Sequence, residues 1–298
     1  MNDTDHYPVW RDRASVLPQH ALPQHGLSRL VHHATRSQSP RFKNALIRWF
    51  IRRYRVDMSE AQTPDPLQYP SFNAFFTRAL KPGARPLAGG AETCMSPVDG
   101  RVSQLGTIAG GRIFQAKDRD FSTLELFGGN ARLAERFAGG AFATLYLAPR
   151  DYHRVHMPLA GTLESMIYIP GRLFSVNPAT TRAVPRLFAR NERVAMFFAS
   201  PAGPMAIVMV GAMLVGSIET VWAGETTSPR GRSIREWRYG EGGEPPVTLE
   251  RGAELGRFNM GSTVIVLFAE NAIRWEPALA ADSRILMGQR LGVISARQ

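Results

Sequence analysis

Cysteine is almost missing from this chain: Cys94 is the only one in 298 residues. No intramolecular disulfide can form, so a disulfide-framed secreted fold is excluded and a reducing compartment fits. Cys94 itself reads as a small buried hydrophobe. A secretory signal is also lacking, because Asp3 and Asp5 stand where a basic n-region would lie and no apolar h-region follows. Long apolar runs are absent. The longest weakly polar stretch, residues 205–218, is interrupted by Gly211, Gly216 and Ser217 and is too short to span a bilayer, so it reads as paired core strands. There is no G-x-G-x-x-G after a strand, no Walker loop and no G-x-S-x-G elbow, which leaves nucleotide-binding and common hydrolase readings without a foothold. Zinc-finger spacings and RNP-like aromatic patterns are missing too, so no nucleic-acid partner is expected. Histidine is scarce beyond residue 33: only His153 and His156 remain, and with one distant cysteine they supply a metal site poorly.

Acidic residues vanish from one segment. Between Arg29 and Val56 lie Arg29, Arg36, Arg41, Lys43, Arg48, Arg52, Arg53 and Arg55 and no acid, so this stretch carries most of the net charge of +11. Its apolar residues are periodic. Leu27, Leu30, Val31 and Ala34 recur at helical spacing. Beyond Ser39-Pro40, Leu46, Ile47, Phe50, Ile51 and Tyr54 gather on one face, with Arg48, Arg52 and Arg55 opposite and Trp49 between. A basic amphipathic helix with an aromatic at its boundary suits an anionic membrane surface; a helix packed on its own domain with a solvated basic face has the same pattern.

The rest of the chain falls into order around this segment. Residues 1–26, with the tandem Leu17-Pro-Gln-His20 and Leu22-Pro-Gln-His25, read as an irregular polar leader. Residues 27–92 hold the basic helices and a proline-rich linker, with Ser71 capping a short helix over 72–80. From residue 93 the texture is β: alternating or β-branched runs at 101–105, 113–115, 141–147, 162–169, 194–198, 206–215, 217–222 and 264–268, with one helix over 124–137 and a polar loop over 224–246. The expected fold class is α+β, a β-rich and mostly antiparallel core domain over 93–298 with N-terminal amphipathic helices.

Chemistry-bearing residues are few. Phe258-Asn259-Met260-Gly261-Ser262-Thr263 opens directly into the apolar run Val264–Phe268, placing a serine where a core strand leaves a turn. Gly261 allows a close approach to its own carbonyl. His153 and His156 lie in Asp151-Tyr152-His153-Arg154-Val155-His156-Met157-Pro158, and on an extended segment their rings point to opposite faces. Asp99-Gly100 is a hairpin-turn signal, yet its apolar neighbours Pro97 and Val98 suit a partly buried carboxylate orienting an imidazole. Asp99, one histidine and Ser262 can therefore serve as orienter, base and nucleophile. Taken singly, each has a plainer account as a turn, a core histidine or a strand-opening serine.

Four motifs in order tip the balance. Ser96-Pro97-Val98-Asp99-Gly100, the Asp151–Pro158 run, Gly216-Ser217-Ile218-Glu219-Thr220-Val221-Trp222-Ala223-Gly224 and Gly256-Arg257-Phe258-Asn259-Met260-Gly261-Ser262-Thr263 together resemble the bacterial phosphatidylserine decarboxylase proenzymes. The likeness extends from about Ile47 through the strand after Ser262. One departure is Met260, where the family usually has leucine; the two are similar in volume, and the swap is expected to leave maturation working. The resemblance implies that Asp99 orients His156 and that His156 takes the proton of Ser262. Ser262 then attacks the Gly261 carbonyl, and elimination leaves a pyruvoyl group capping a 262–298 chain beside a 1–261 chain. That ketone would form a Schiff base with phosphatidylserine and drain electrons from the departing carboxyl, the part pyridoxal phosphate plays elsewhere. His153 is the candidate for returning a proton to the product. No metal is implied. The expected setting is peripheral, on the cytoplasmic face of the inner membrane, with the cleaved chains as a heterodimer that further pairs into a homodimer. The loop 171–181 and the basic residues near Arg190 are head-group candidates. Two other readings stay open: a serine hydrolase using Ser262, His156 and Asp99 on an external ester, and a non-catalytic basic membrane-binding protein.

Overall fold

The computed structural model describes residues 12, 16–19, 24–213, 217–227, 233–259 and 262–296. Nearly all ladders are antiparallel, as the alternating patterns predict. The main sheet runs, in spatial order, through Arg235–Arg238, Gly161–Ile169, Arg193–Ser200, Gly203–Val210, Ser262–Phe268, Ala141–Leu147, Gly100–Thr107 and Arg284–Ile285, with Thr248–Leu249 also pairing on Gly161–Ile169. A four-stranded sheet orders Gly224–Glu225, Ile218–Thr220, Glu254–Phe258 and Arg154–His156. Residues 205–218 therefore do not form a pair of strands with each other; Gly203–Val210 and Ile218–Thr220 belong to different sheets.

Burial explains why the strands lie where they do. Every residue of Ser262–Phe268 is buried, and the strand is bonded on both sides, to Ala141–Leu147 and to Gly203–Val210. Side chains alternate across it. Val264, Val266 and Phe268 join a core with Leu145, Val155 and Phe258, while Ile265 and Leu267 join a second core with Ile113, Phe121 and Phe188. A strand packed on both faces tolerates only apolar residues, hence its uninterrupted β-branched run. Cys94 lies wholly inside the first core.

The expected helix over 124–137 is split into Thr123–Leu126 and Ala131–Glu135. Gly128 and Gly129 between them take φ of +69° and +92°, a left-handed backbone that ends the first helix. Asp99-Gly100 makes no hairpin: residues 97–99 form a bend joining Thr93–Met95 to Gly100–Thr107, which belong to different sheets. The polar loop over 224–246 contains the strand Arg235–Arg238, paired with Gly161–Ile169; alternating charges hid it. In the leader, Val16–Gln19 is helical rather than irregular, and the first long helix starts at Gln24.

Two helices come first. Helix α1, Gln24–Thr35, buries Gln24, Ser28 and Thr35, and leaves Leu30 68% exposed. Leu27, Val31 and Ala34 are half-buried, and a polar contact ties the helix to the domain: Gln24 Oε1 accepts from Leu173 N (2.9 Å). Helix α2, Pro40–Tyr54, behaves as its pattern predicts, with Ile47 and Phe50 buried and Arg48, Trp49, Arg52 and Arg53 exposed. A third, α3, covers Phe72–Phe76; Ser71 Oγ caps it by accepting from Ala74 N (3.2 Å), and it stops at Thr77, short of residue 80. Phe50 sits edge-on to Phe72, Phe75 and Phe76, with centroids 5.1, 6.1 and 5.8 Å away. This aromatic cluster fastens α2 to α3. Phe50→Ala is expected to cost about 3–5 kcal/mol, the usual range for emptying a buried Phe site, read from the urea midpoint. Trp49→Ala, at a position 51% exposed, should cost well under about 1 kcal/mol.

Candidate active site

Ser262 opens the central strand opposite Leu147. By alternation it faces the core shared with the four-stranded sheet. The side chain is fully buried, and its Oγ has no hydrogen-bond partner. Such an unpaired hydroxyl costs about 1–3 kcal/mol. Met260 and Gly261 lie outside the described residues, so the peptide expected to be cut does too. The residue just before them is tightly held. Asn259 N donates to Ser217 O (3.0 Å), Asn259 Nδ2 to Ser217 Oγ (2.6 Å), and Asn73 Nδ2 of α3 to Asn259 Oδ1 (3.1 Å).

His153 sits beside this segment through the backbone. Leu147 opposes Ser262, and the His153 carbonyl accepts from Phe258 N (3.1 Å). These two pairings bring residues 148–152 alongside Asn259 and the start of the Ser262 strand. The His153 ring is wholly buried and lies 4.1 Å, centroid to centroid, from Phe76. Its Nδ1 donates to Asp151 O (2.8 Å), because a carbonyl can only accept, and Nε2 is left bare, buried and unpartnered. Burial drives its pKa down to about 3, the Asp151 carbonyl opposes, and the Arg78 charge lowers it further. The site holds a neutral imidazole with a free lone pair and a serine hydroxyl with no acceptor.

His156 lies in other surroundings, as the spacing of the two histidines predicts. Nδ1 donates to Gly252 O (2.8 Å), so Nε2 accepts from Tyr152 Oη (2.9 Å). Burial lowers its pKa, while the Gly252 carbonyl, Glu254 and Asp99 raise it. Asp99 is 4% exposed and is gripped by Arg85 from Nε (2.9 and 3.2 Å) and Nη2 (2.6 Å), and by Met287 N (2.8 Å). The backbone joins the two segments, since His156 N donates to Pro97 O (2.9 Å). Asp99, His156 and Ser262 thus share a region, but their side chains are not hydrogen-bonded into a relay: Arg85 holds the carboxylate, and Gly252 and Tyr152 hold the imidazole.

Sequence reasoning passed over Arg78, which fell inside the expected helix over 72–80, Arg85 in the loop after it, and the clamp of Asn73 and Ser217 on Asn259. The signal for Arg78 was its place directly after the Phe-rich helix that roofs His153. Among the described residues no group of three or more His, Cys, Asp or Glu is placed to hold a metal, and no helix is long and apolar enough to cross a membrane.

Comparison with known proteins settles the family. A family model described as phosphatidylserine decarboxylase matches residues 72–293, and a second, described as PSD, matches residues 14–55. The chain belongs to the phosphatidylserine decarboxylase family. It is 56% identical over 283 residues to a phosphatidylserine decarboxylase proenzyme of Pseudomonas fluorescens, covering 95% of this chain and 98% of that one. Proenzymes of the same name from Stutzerimonas stutzeri and Pseudomonas aeruginosa are 54% identical over 282 residues and 56% over 284. The alignment covers 95% of this chain in both, and 95% and 98% of those relatives. The family carries decarboxylase activity, and both the Ser262 segment and the roof helix fall inside the matched region.

The neutral state of His153 has a measurable consequence. Its folded pKa, about 3, lies below the ordinary 6.5, so the unfolded chain takes up the proton first. The stability it contributes is whole above pH 6.5 and is lost as the pH falls from 6.5 toward 3. Denaturation midpoints at pH 7 and pH 5 should fall further for the parent than for His153→Phe. Equal losses would show that His153 titrates normally in the folded protein.

Proposed function

We propose that this chain is a self-processing phosphatidylserine decarboxylase that cuts itself between Gly261 and Ser262 and then releases CO2 from phosphatidylserine to give phosphatidylethanolamine. The observation that carries the reading is the Ser262 hydroxyl, fully buried and unpartnered at the head of the central strand, in a chain whose relatives are named proenzymes.

Maturation begins when Ser262 Oγ attacks the Gly261 carbonyl carbon. The peptide nitrogen leaves it and takes a proton, and an ester replaces the amide. Asp99, His156 and Ser262 form the relay for this step. His156 Nε2 must exchange the Tyr152 hydroxyl for that of Ser262, and Nδ1 must trade the Gly252 carbonyl for Asp99. Loss of the Ser262 α-proton then expels the Gly261 carboxylate, and addition of water with release of ammonia leaves a ketone at position 262. Residue 262 fits that group: it is fully buried, and the backbone of His153 pairs with Phe258 just before it.

A pyruvoyl group there supplies a carbonyl that condenses with the substrate amine and accepts the electron pair left by CO2. The protein supplies the rest. Burial excludes water from the reacting atoms. His153, neutral with Nε2 free, relays a solvent proton to the substrate Cα, since replacing CO2 by hydrogen consumes one proton.

The lipid substrate requires a surface. Leu17, Leu30 of α1, and Phe42 and Trp49 of α2 are exposed, and so are Arg48, Arg52 and Arg53 of α2. We read this face as resting on the anionic cytoplasmic leaflet, peripherally. It reaches the site by two routes. Phe50 packs on α3, whose Phe76 touches His153. Arg36 and His32 of α1 bond Glu225 (2.5 and 3.1 Å), and Glu225 accepts from Ser217 Oγ, which holds Asn259.

Intact-mass measurement of purified protein is expected to give two fragments split after Gly261, the smaller with a blocked, carbonyl-bearing N-terminus, and Ser262→Ala is expected to stay whole. A single full-length mass in active protein, labelled by a fluorophosphonate at Ser262, would point to the hydrolase reading instead. On the membrane side, Trp49→Ala combined with Arg48→Glu and Arg52→Glu should cut co-sedimentation with phosphatidylserine-rich vesicles at least ~10-fold, at roughly 1 kcal/mol per basic residue. Parent binding should weaken with salt.

A further inference from the structure

Arg78 follows α3 and is 4% exposed. Its guanidinium has one hydrogen bond, from Nη2 to Arg150 O (3.1 Å), and lies 5.6 Å from the Phe75 ring centroid. Nε and Nη1 are buried and have no partner, and among the described residues no carboxylate forms an ion pair with it. Asp57, Asp99 and Asp151 act on it only across a distance. Burial depresses its proton affinity. A buried guanidinium with unsatisfied N–H groups is costly, and a chain keeps one where an anion comes to complete it.

Its position says which anion. Arg150 belongs to the segment that leads into His153, the Arg78 charge acts on the His153 ring, and the adjacent Thr77 carbonyl accepts from Arg154 Nε (2.9 Å) beside that histidine. The guanidinium therefore borders the gap where Ser262 opens its strand. Arg190, the other basic candidate, is only half-buried over the Phe174 ring, and no hydrogen bond ties it to His153 or Ser262. We propose that Arg78 binds the phosphodiester anion of the substrate head group and so sets the enzyme's preference for phosphoserine-bearing substrates. This rests on the decarboxylase reading above. A substrate of that reaction carries two anions. Clamping the carboxylate would stabilise the charge that has to leave and would slow the step. The phosphodiester keeps its charge throughout, so holding it anchors the substrate without opposing the chemistry. Its oxygens also match a guanidinium fork better than an ammonium.

The test uses mature, full-length protein and borohydride trapping on the 262–298 fragment, read by mass. Two soluble probes are compared: glycerophosphoserine, and an O-alkylserine that keeps the amine and carboxylate but has no phosphate. The parent should trap glycerophosphoserine at a concentration at least ~10-fold lower. In Arg78→Gln that advantage should vanish, with half-trapping for glycerophosphoserine rising ~10- to 100-fold and O-alkylserine unchanged; with lipid substrate, KM should rise while kcat stays within about threefold. Arg78→Lys should fall between the two, and it carries the test if Arg78→Gln fails to process itself. Equal weakening for both probes, or no change for either, overturns the assignment. Failure of the parent to trap either probe is a different result, because it removes the ketone itself and the decarboxylase reading with it.

Discussion

The two-sided pairing of Ser262–Phe268 is the constraint on which the rest of the structure depends. Bonded to a strand on each side and buried on each face, it cannot shift register without turning its apolar residues onto the wrong core. Its first residue is therefore fixed with the precision of the sheet. A reaction that needs a hydroxyl at one carbonyl gains from this, because attack is fast only when the reacting atoms are held near contact. The ladder to Leu147 does not pass through the 261–262 peptide, so the proposed cleavage would leave residue 262 in place.

The roof over that strand belongs to the N-terminal helical segment rather than to the β strands. Phe76 lies on His153, Asn73 grips Asn259, and Arg78 reaches Arg150, while Phe50 ties the same short helix to α2. One aromatic cluster thus separates the basic, Trp-bearing surface from the reacting residues. Helix α1 leaves Leu30 exposed and buries Gln24, Ser28 and Thr35, with Leu27, Val31 and Ala34 half-buried.

Much of this was legible in the sequence wherever one local force dominates. The β-branched run after Ser262 can only be a core strand, and the separation of Ile47, Phe50 and Tyr54 from Arg48 and Arg52 fixes the face α2 buries. Features decided by a single backbone angle or a distant partner were hidden. Two left-handed glycines break the expected helix at 128–129. Arg235–Arg238 looks like loop because charges line both its faces, yet the edge of Gly161–Ile169 recruits it. Asp99, Ser262 and the two histidines were singled out by residue type and motif. Their present partners, Arg85, Tyr152 and Gly252, were not, because hydrogen-bond choice among close neighbours is set by tertiary geometry.

The unpaired buried groups are the clearest trace of selection for chemistry over stability. Ser262 Oγ, His153 Nε2 and the Nε and Nη1 of Arg78 each lack a partner, at about 1–3 kcal/mol apiece. An orphaned hydroxyl alone is not diagnostic: Thr144 and Thr263 have one as well, on the other face of the sheet, where Ile265 and Val210 oppose them. What distinguishes the Ser262 corner is complementarity. It holds a donor without an acceptor, an acceptor without a donor and a cation without an anion, all beside one gap between two sheets. On the proposed reading a zwitterionic, anionic head group would complete all three, and proteins depart from local satisfaction where function requires it.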